Sequence, residues 1–402
     1  MSSSVTSSIE LRLGEQEAFD ITPFVKRFVW SESMLSGGFS WELVILTERW
    51  KDWESILFGR DQPRIQFRLI SNEPEGPVST EWRTAVVDKS RAVFGQNVAM
   101  LADIKGADAR LDMAQKVRTR AWAERSVSSV LTQLASEHGL TPDIEKTAAL
   151  DINIQAREDD WTFARRLAQE AATESGRGDA YLWVDEDALR FRAPQLTDQS
   201  ERRYDMSVVE NRVDGYVAAY NGREADREGA ATLLGVGFNF LTKQATLFEM
   251  NPSTAATHPS MASRVPRRME DGLRFVPVFS EAQKQVEENV RASWGKVASR
   301  YVTMRINTRP DLTLRPNTVI SMEANLDERR QTPFMGRYAL LEVQHVLEKS
   351  TIITTVVGYR REAQVGDAQP TGSNADTAGS RDAFRGAGNN PPKTISVARL
   401  LT

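Results

Sequence analysis

Val127-Ser128-Ser129-Val130-Leu131-Thr132-Gln133-Leu134-Ala135-Ser136-Glu137-His138-Gly139-Leu140 carries its apolar residues at helical spacing. Ser126 stands where a cap would accept first-turn amides, and Gly139 supplies the left-handed stop. Pro142 forbids continuation. A second helix opens near Asp159, sets Trp161, Ala164, Leu167, Ala168 and Ala171 on one stripe, and ends before Gly176. A hairpin signal follows: Ala180 to Val184, an acidic Asp185-Glu186-Asp187 turn, then Leu189 to Arg192. Residues 113–205 therefore read as an α/β unit. Val130, Leu134, Trp161 and Leu167 are expected in its core.

On both sides the period drops to two. Ile9 to Leu13, Phe39 to Ile45, Arg64 to Leu69, Trp82 to Phe94 and Asn97 to Ile104 predict five or six strands, a small antiparallel barrel or sandwich. Trp30, Trp41, Trp50, Trp53 and Trp82 all fall here and are expected to fill a β core or a subunit interface. After residue 205 the pattern returns with Val208-Val209, Arg212 to Asn221 and the Gly235-Val236-Gly237 run. A Pro/Ser/Thr-rich stretch (251–266) and one helix interrupt it; the helix carries a capping box of Ser280 and Gln283, then Val286, Val290, Trp294 and Val297. Tyr301 to Thr308, Thr318 to Glu323 and a hairpin, Gly336 to Leu347 and Thr351 to Tyr359, close the block.

The expected fold class is α+β, mainly β. Residues 1–112 form a first small antiparallel β-barrel, 113–205 an α/β domain, and 206–362 a second barrel with a helix-bearing insert at about 241–298. Residues 363–402 form a flexible Gly/Ala/Asn/Ser-rich tail. That tail ends in Ile395-Ser396-Val397-Ala398-Arg399-Leu400-Leu401, so Pro391, Pro392, Ile395, Val397, Leu400 and Leu401 are the candidate partner-binding residues.

Composition excludes much. The 402 residues are 40% hydrophobic and 26% charged, enough for about two to four domains. The net charge of −4 argues against a polycationic nucleic-acid binder. No cysteine means no disulfide, thiol or iron–sulfur chemistry. His138, His258 and His345 lie too far apart for a histidine-rich metal centre, so no cofactor is expected. No run approaches the roughly 18 apolar residues of a membrane span. Met1-Ser2-Ser3-Ser4 lacks a secretory signal, so synthesis in a cytoplasm is expected and no membrane anchor.

No catalytic constellation emerges. Gly235-Val236-Gly237 lacks the third glycine of a dinucleotide loop and the lysine-serine pair of a nucleotide loop, and reads as glycines in a strand. Glu158-Asp159-Asp160 reads as helix-start capping, and Asp185-Glu186-Asp187 as a hairpin tip, against the alternative of paired hydrolytic carboxylates. Arg177-Gly178-Asp179 reads as a turn. His138 reads as a last-turn cation, His258 as a loop residue and His345 as a strand residue. Arg264, Arg267 and Arg268 are the only tight basic group. The chain is not expected to be an enzyme.

Two segments resemble one family. The helix ending in His138-Gly139-Leu140, then Ile154-Gln155, then Asp159-Asp160-Trp161-Thr162-Phe163-Ala164-Arg165-Arg166-Leu167-Ala168, is similar to the baseplate hub family of phage tails, which includes late control D proteins and the N-terminal hub of VgrG spikes. Leu312-Thr313-Leu314-Arg315-Pro316-Asn317, Gly336-Arg337-Tyr338 to His345, and Thr354 to Arg360 match its C-terminal pattern. Asn317 stands where the family favours Gly, and Asn too tolerates left-handed backbone.

The resemblance implies a structural hub in the tail baseplate of a virion, assembled in the host cytoplasm. It implies two tube-type barrels per chain, three chains in a ring, and a symmetry adaptor between a sixfold tail tube and a threefold spike. Its partners would be two further copies of itself, the tail tube protein, a spike or tail-tip protein and neighbouring baseplate proteins. DNA would pass through its lumen without specific binding. The absence of a fused muramidase, needle or peptidase segment favours a separate spike. The alternatives are the hub of a non-viral contractile injection system and, in another class, a tail-tip cell-wall hydrolase.

Overall fold

The computed structural model describes residues 6–13, 18–48, 50–54, 64–73, 76–94, 100–123, 125–147, 152–174, 180–194, 203–205, 213–220, 232–239, 244–250, 273–277, 286–293, 302–308, 310–323 and 336–360. The described residues all lie within one compact unit, Met1–Ala363.

The first block contains β1 (Thr6–Leu13), β2 (Phe19–Asp20), β3 (Val25–Ser33), β4 (Gly38–Thr47), β5 (Arg64–Glu73), β6 (Gly76–Ser79), β7 (Arg83–Phe94) and β8 (Met100–Ala107). Alternation decides which face is buried. Trp41, Leu43 and Ile45 on β4, Met100, Ala102 and Ile104 on β8, and Ile65, Phe67 and Leu69 on β5 point into one core with Phe28 and Trp30. Trp53 joins them, as the tryptophan reading expected. Trp82 is half-buried outside this core, with the guanidinium groups of Arg12 and Arg68 over its ring, 4.4 and 4.8 Å from the centroid. The side chain of Trp50 lies outside the described set.

The middle unit holds α1 (Arg110–Ala114), β9 (Val117–Ala123), α2 (Val127–Glu137), β10 (Thr141–Ile144), β11 (Ile152–Asp159), α3 (Asp160–Glu170), β12 (Tyr181–Asp185) and β13 (Ala188–Arg192). Ser126 caps α2 by accepting from the Ser129 amide at 3.1 Å, and Gly139 adopts φ +68° just past its end. Val130, Leu134 and Leu167 are fully buried and Trp161 nearly so, in one core with Phe163 and Phe191. The hairpin β12–β13 gains a parallel third strand, β10, and β9 pairs with β11 as a separate two-stranded ribbon.

The last block contains β14 (Arg203–Asp205), β15 (Val213–Tyr220), β16 (Thr232–Asn239), β17 (Gln244–Met250), β18 (Leu273–Pro277), a helix α4 (286–293), β19 (Val302–Thr308), β20 (Val319–Glu323), β21 (Gly336–Glu348) and β22 (Thr351–Arg360). Lys349 and Ser350, both at positive φ, make the tight turn between β21 and β22. Asn317 takes φ +67°, the left-handed backbone its place in the motif requires. β16, ahead of the expected insert, pairs with β17 and β18 in a sheet of its own rather than with the main sheet. Gly235 lies in β16, as read. A Cβ there would stand 2.4 Å from Val290 Cγ2, so its missing side chain is what lets α4 pack on the sheet.

The two β blocks are distant in sequence but share one 14-stranded sheet, whose main path runs β15-β19-β22-β21-β3-β4-β8-β7-β5-β1-β2, with β6 paired to β5 and β14 and β20 joined through β21. β21 is the shared member. Its first residues pair with β20 (Met322 to Gly336, Val319 to Ala339), and its last seven pair with β3 (Glu342 to Ser33, Glu348 to Arg27). The sheet also curls: the Ser7 amide on β1 donates to Ser350 O at the β21–β22 turn, 3.0 Å. This wraps the first core, which takes in Leu347 and Ile352 from the far block. A second core, with Tyr338, Leu340, Met304, Ile306 and Val356, lies at the other end of the same hairpin. The strands form no closed barrel ladder among the described residues. Val208-Val209, Ser280, Gln283, Trp294 and Val297 lie outside them, as do His258, residues 251–266 and residues 361–402.

Candidate functional site

Among the described residues, all three parts of the chain meet in one place. That place is the β3–β4 turn, Met34 to Gly37. The Val184 amide of β12 donates to Gly37 O at 2.9 Å, and the Met34 amide donates to Leu341 O on β21 at 2.8 Å. One turn of the first block thus bonds to the middle unit and to the shared strand. Met34 packs there with Tyr181, Trp183, Ala339, Leu341 and Tyr359, drawn from all three parts.

Two glycines make this approach possible. Gly37 (φ +92°) lies under Trp161, and Gly38 (φ +148°) lies against Asp108, whose Oδ2 would be 2.2 Å from an added Cβ. Both backbone angles are ones that L side chains rarely adopt. Asp108 Oδ2 accepts from the Phe39 amide at 2.5 Å and Oδ1 from the Arg110 amide at 3.0 Å. Burial pushes its carboxyl up to about 6, against the lowering effect of the Arg110 guanidinium.

Beside it lies a buried ion-pair cluster. Arg83 (5% exposed) contacts Glu32 of β3 at 3.1 Å, Asp185 at the end of β12 at 3.5 Å, and Glu186 of the following turn. Glu32 also accepts from Trp30 Nε1 at 3.0 Å and faces Arg315 at 3.7 Å. Neutralised on several sides, Arg83 clamps the hairpin tip to the first block. Burying such a cluster buys definition of geometry more surely than stability. The hairpin tip read as a simple acidic turn is therefore a docking point, with Glu186 at φ +57° aiming it. The adjoining cavity is about 30 Å³, room for water rather than a substrate.

The residues of the first family-like segment meet inside the middle unit. Asp160, fully buried, accepts from Arg120 Nη2 and Gln155 Nε2, both at 2.8 Å, and its other oxygen lies 2.9 Å from His138 Nε2. Gln155 Nε2 also donates to Glu158 O and its Oε1 accepts from Arg120 Nε. Burial pushes the Asp160 carboxyl up, but the bonds from Gln155 and His138 and the two arginines outweigh it and hold it low. Glu137 is likewise pushed up by burial yet held down at about 2 by Gln133, Arg120 and Arg118.

Two readings change here. Asp159 does cap α3, accepting from the Thr162 amide at 2.8 Å, but Asp160 beside it is a buried acceptor and not a cap. His138 lies one residue past the last turn in which it was expected. It is the C-cap residue, and its ring binds Asp160. His345 sits in β21 as read, buried, with Nδ1 2.9 Å from Thr354 Oγ1. Burial, and then the Arg315 charge, push it down to about 3, with Asp311 opposing.

Among the described residues no group of three or more His, Cys, Asp or Glu could hold a metal ion, and no helix is long and apolar enough to cross a membrane. Pro391, Pro392, Ile395, Val397, Leu400 and Leu401 lie outside the described residues. So do Arg177-Gly178-Asp179 and Arg264, Arg267 and Arg268. Arg83, Glu32, Asp108 and Gly37 were not singled out by motif. Only the Gly37-Gly38 turn signal hinted at them.

No family model matches the chain, and no curated protein matches it. Solved structures do. A tail protein from Neisseria meningitidis superposes with a TM-score of 0.61 at 11% identity, covering 88% of this chain and 97% of that one. The 43 kDa tail protein of prophage MuSo2 from Shewanella oneidensis gives 0.57 at 11%, covering 89% and 99%. An E. coli component of the type VI secretion system, described as structurally similar to T4 bacteriophage tail proteins gp27 and gp5, gives 0.50 at 10%, covering 87% and 76%. At these identities the likeness speaks for the fold alone: the chain shares the fold of these tail proteins and of the secretion-system component.

Proposed function

We propose that this chain is the structural central hub of a phage tail baseplate. Three copies close a ring that joins a sixfold tail tube to a threefold spike, with a channel for genome delivery. The observation that carries the reading is the shared strand β21. It holds two β modules in one sheet, at a fixed relation. A closed trimer facing a sixfold surface needs two similar contact modules per chain, related by about 60°. Each module is read as one tube-type barrel, residues 1–112 and 206–362, with 113–205 as the α/β unit between them. The junction around Gly37, Asp108 and Arg83 sets that unit against both.

The partners are then two further copies, the tail tube protein, a spike or tail-tip protein and neighbouring baseplate proteins. DNA crosses the lumen without specific contacts, and the chain performs no chemistry. The C-terminal segment, Pro391 to Leu401, is the tether to the spike. The likeness to a type VI secretion component favours one second reading, the hub of a non-viral contractile injection system. The test is the native mass of the 45.0 kDa chain across a concentration series, followed by electron-microscopic images. A threefold ring with an axial channel is expected. A monomer that neither concentration nor tube protein drives into a ring would overturn the reading, and so would turnover of peptidoglycan by the purified chain.

A further inference from the structure

The strand β12 has one edge that is only partly used. In the β12–β13 hairpin Val184 lies opposite Leu189, and Leu182 opposite Phe191. The Val184 amide donates away from β13, to Gly37 O. Ladder bonds alternate along an antiparallel pair, so Leu182, two residues earlier, also turns its N–H and C=O away from β13. Gly37 O therefore stands where the first acceptor of an added strand would stand. At Leu182 the edge is still open: neither its N–H nor its C=O has a backbone partner among the described residues.

A cleft of about 270 Å³ lies beside this edge, between β12, the β3–β4 turn and α3. Met34, the exposed Leu35, Ala168 and Ala180 give it apolar walls. It has room for a short chain segment, where the cavity at Arg83 admits only water. Arg165 stands on the α3 wall, half-buried. Its neighbour Arg166 binds Glu158 and Ile154 O, whereas Arg165 makes no hydrogen bond or ion pair among the described residues. A half-buried guanidinium has lost part of its hydration, and a carboxylate is the partner that makes up the loss. Edge, walls and cation together define one occupant. It offers main-chain hydrogen bonds to β12, an apolar side chain between Leu35 and Ala168, and a carboxylate two residues along on the same face.

We propose that this cleft binds an extended segment of a partner protein, added as a strand at the Leu182 edge, whose glutamate or aspartate pairs with Arg165. Strand addition draws affinity from the backbone and specificity from alternate side chains. The site lies within one chain, so it stands whether or not copies close a ring. The probe is the peptide acetyl-Ser-Val-Thr-Glu-Ser-amide, added to the full-length chain. At saturation it should slow hydrogen exchange of the Leu182 amide by about tenfold or more. Arg165→Gln should bind it about five- to tenfold more weakly, with the thermal midpoint of the parent, since the substitution breaks no contact among the described residues. Replacing the peptide's Glu by Gln should weaken binding to the parent by the same factor and binding to Arg165→Gln no further. A peptide that fails to bind at millimolar concentration, or equal affinity of the parent for the Glu and Gln peptides, would overturn the site. Binding that leaves Leu182 exchange unchanged, or protection of Leu182 by acetate alone, would overturn strand addition and leave Arg165 as a simple anion contact.

Discussion

Trp161 lies directly over Gly37: a Cβ added at Gly37 would stand 2.3 Å from Trp161 Cζ2. The tryptophan belongs to the first turn of α3 and the glycine to the β3–β4 turn, so the contact joins the middle unit to the first β block. It also explains why a large aromatic opens a helix whose remaining stripe is mostly alanine and leucine. Trp161→Ala should cost on the order of 3–5 kcal/mol. Gly37→Ala, with a clash and φ +92°, should cost about 1–3 kcal/mol. Denaturant unfolding of the two variants checks both. An unchanged midpoint for Gly37→Ala would show that the turn is not held against Trp161.

Asp108 and His345 should oppose each other in acid. Asp108 is raised from 3.8 to about 6, so its contribution is fully present below 3.8 and is lost as pH rises toward 6. His345 is lowered from 6.5 to about 3, so its contribution is present above 6.5 and is lost as pH falls toward 3. Between pH 6 and 4 the two slopes largely cancel, which leaves the smaller loss that begins as the depressed carboxylates Glu137 and Asp160 approach protonation. Asp108→Asn removes one of them. That variant should lose on the order of 2–3 kcal/mol between pH 6.5 and 4, read as a falling urea midpoint. A variant whose midpoint falls no more steeply than the parent's would show that His345 is not held neutral.

The Asp160 network should behave as a unit. Asp160→Ala leaves Arg120, Gln155 and His138 facing an empty site and should cost about 3–5 kcal/mol. Gln155→Ala removes the side chain that bridges Asp160 to the Glu158 carbonyl and should cost about 1–3 kcal/mol. Combined with His138→Ala, its effect should fall short of additive by at least about 0.5 kcal/mol, since both donate to one carboxylate. A double-mutant cycle by chemical denaturation measures this. Strict additivity would mean that the contacts are independent.

What the sequence made legible follows its periodicity. The stripes of α2 and α3 and the alternating strands of the first block stood out because each buries one face against a single core. β9 and β11 did not, because Arg118, Arg120 and Gln155 look like a solvent face and are in fact turned inward. The junction was invisible for another reason. Arg83 and Glu186 stand 103 residues apart, and Phe39 and Asp108 stand 69 apart, so no local pattern relates them. The single sheet could not be read either: nothing in Gly336 to Glu348 announces that its two halves take different partners.

The C-terminal segment yields the last prediction. On the tether reading proposed above, residues 363–392, rich in Gly, Ala, Asn and Ser, serve as the linker. Ile395 and Val397, two apart, would share one face of an added strand, and Leu400 and Leu401 extend the apolar contact. A strand added to a sheet edge of the spike satisfies its own backbone while the linker spans the gap. Truncation after Ala387 should therefore spare the trimer and its contact with the tube protein, and should abolish retention of the spike in a pull-down of the assembled hub. Replacing Ile395 and Val397 together by aspartate should do the same without shortening the chain. Spike retention at the parent level in both variants would assign the tether elsewhere.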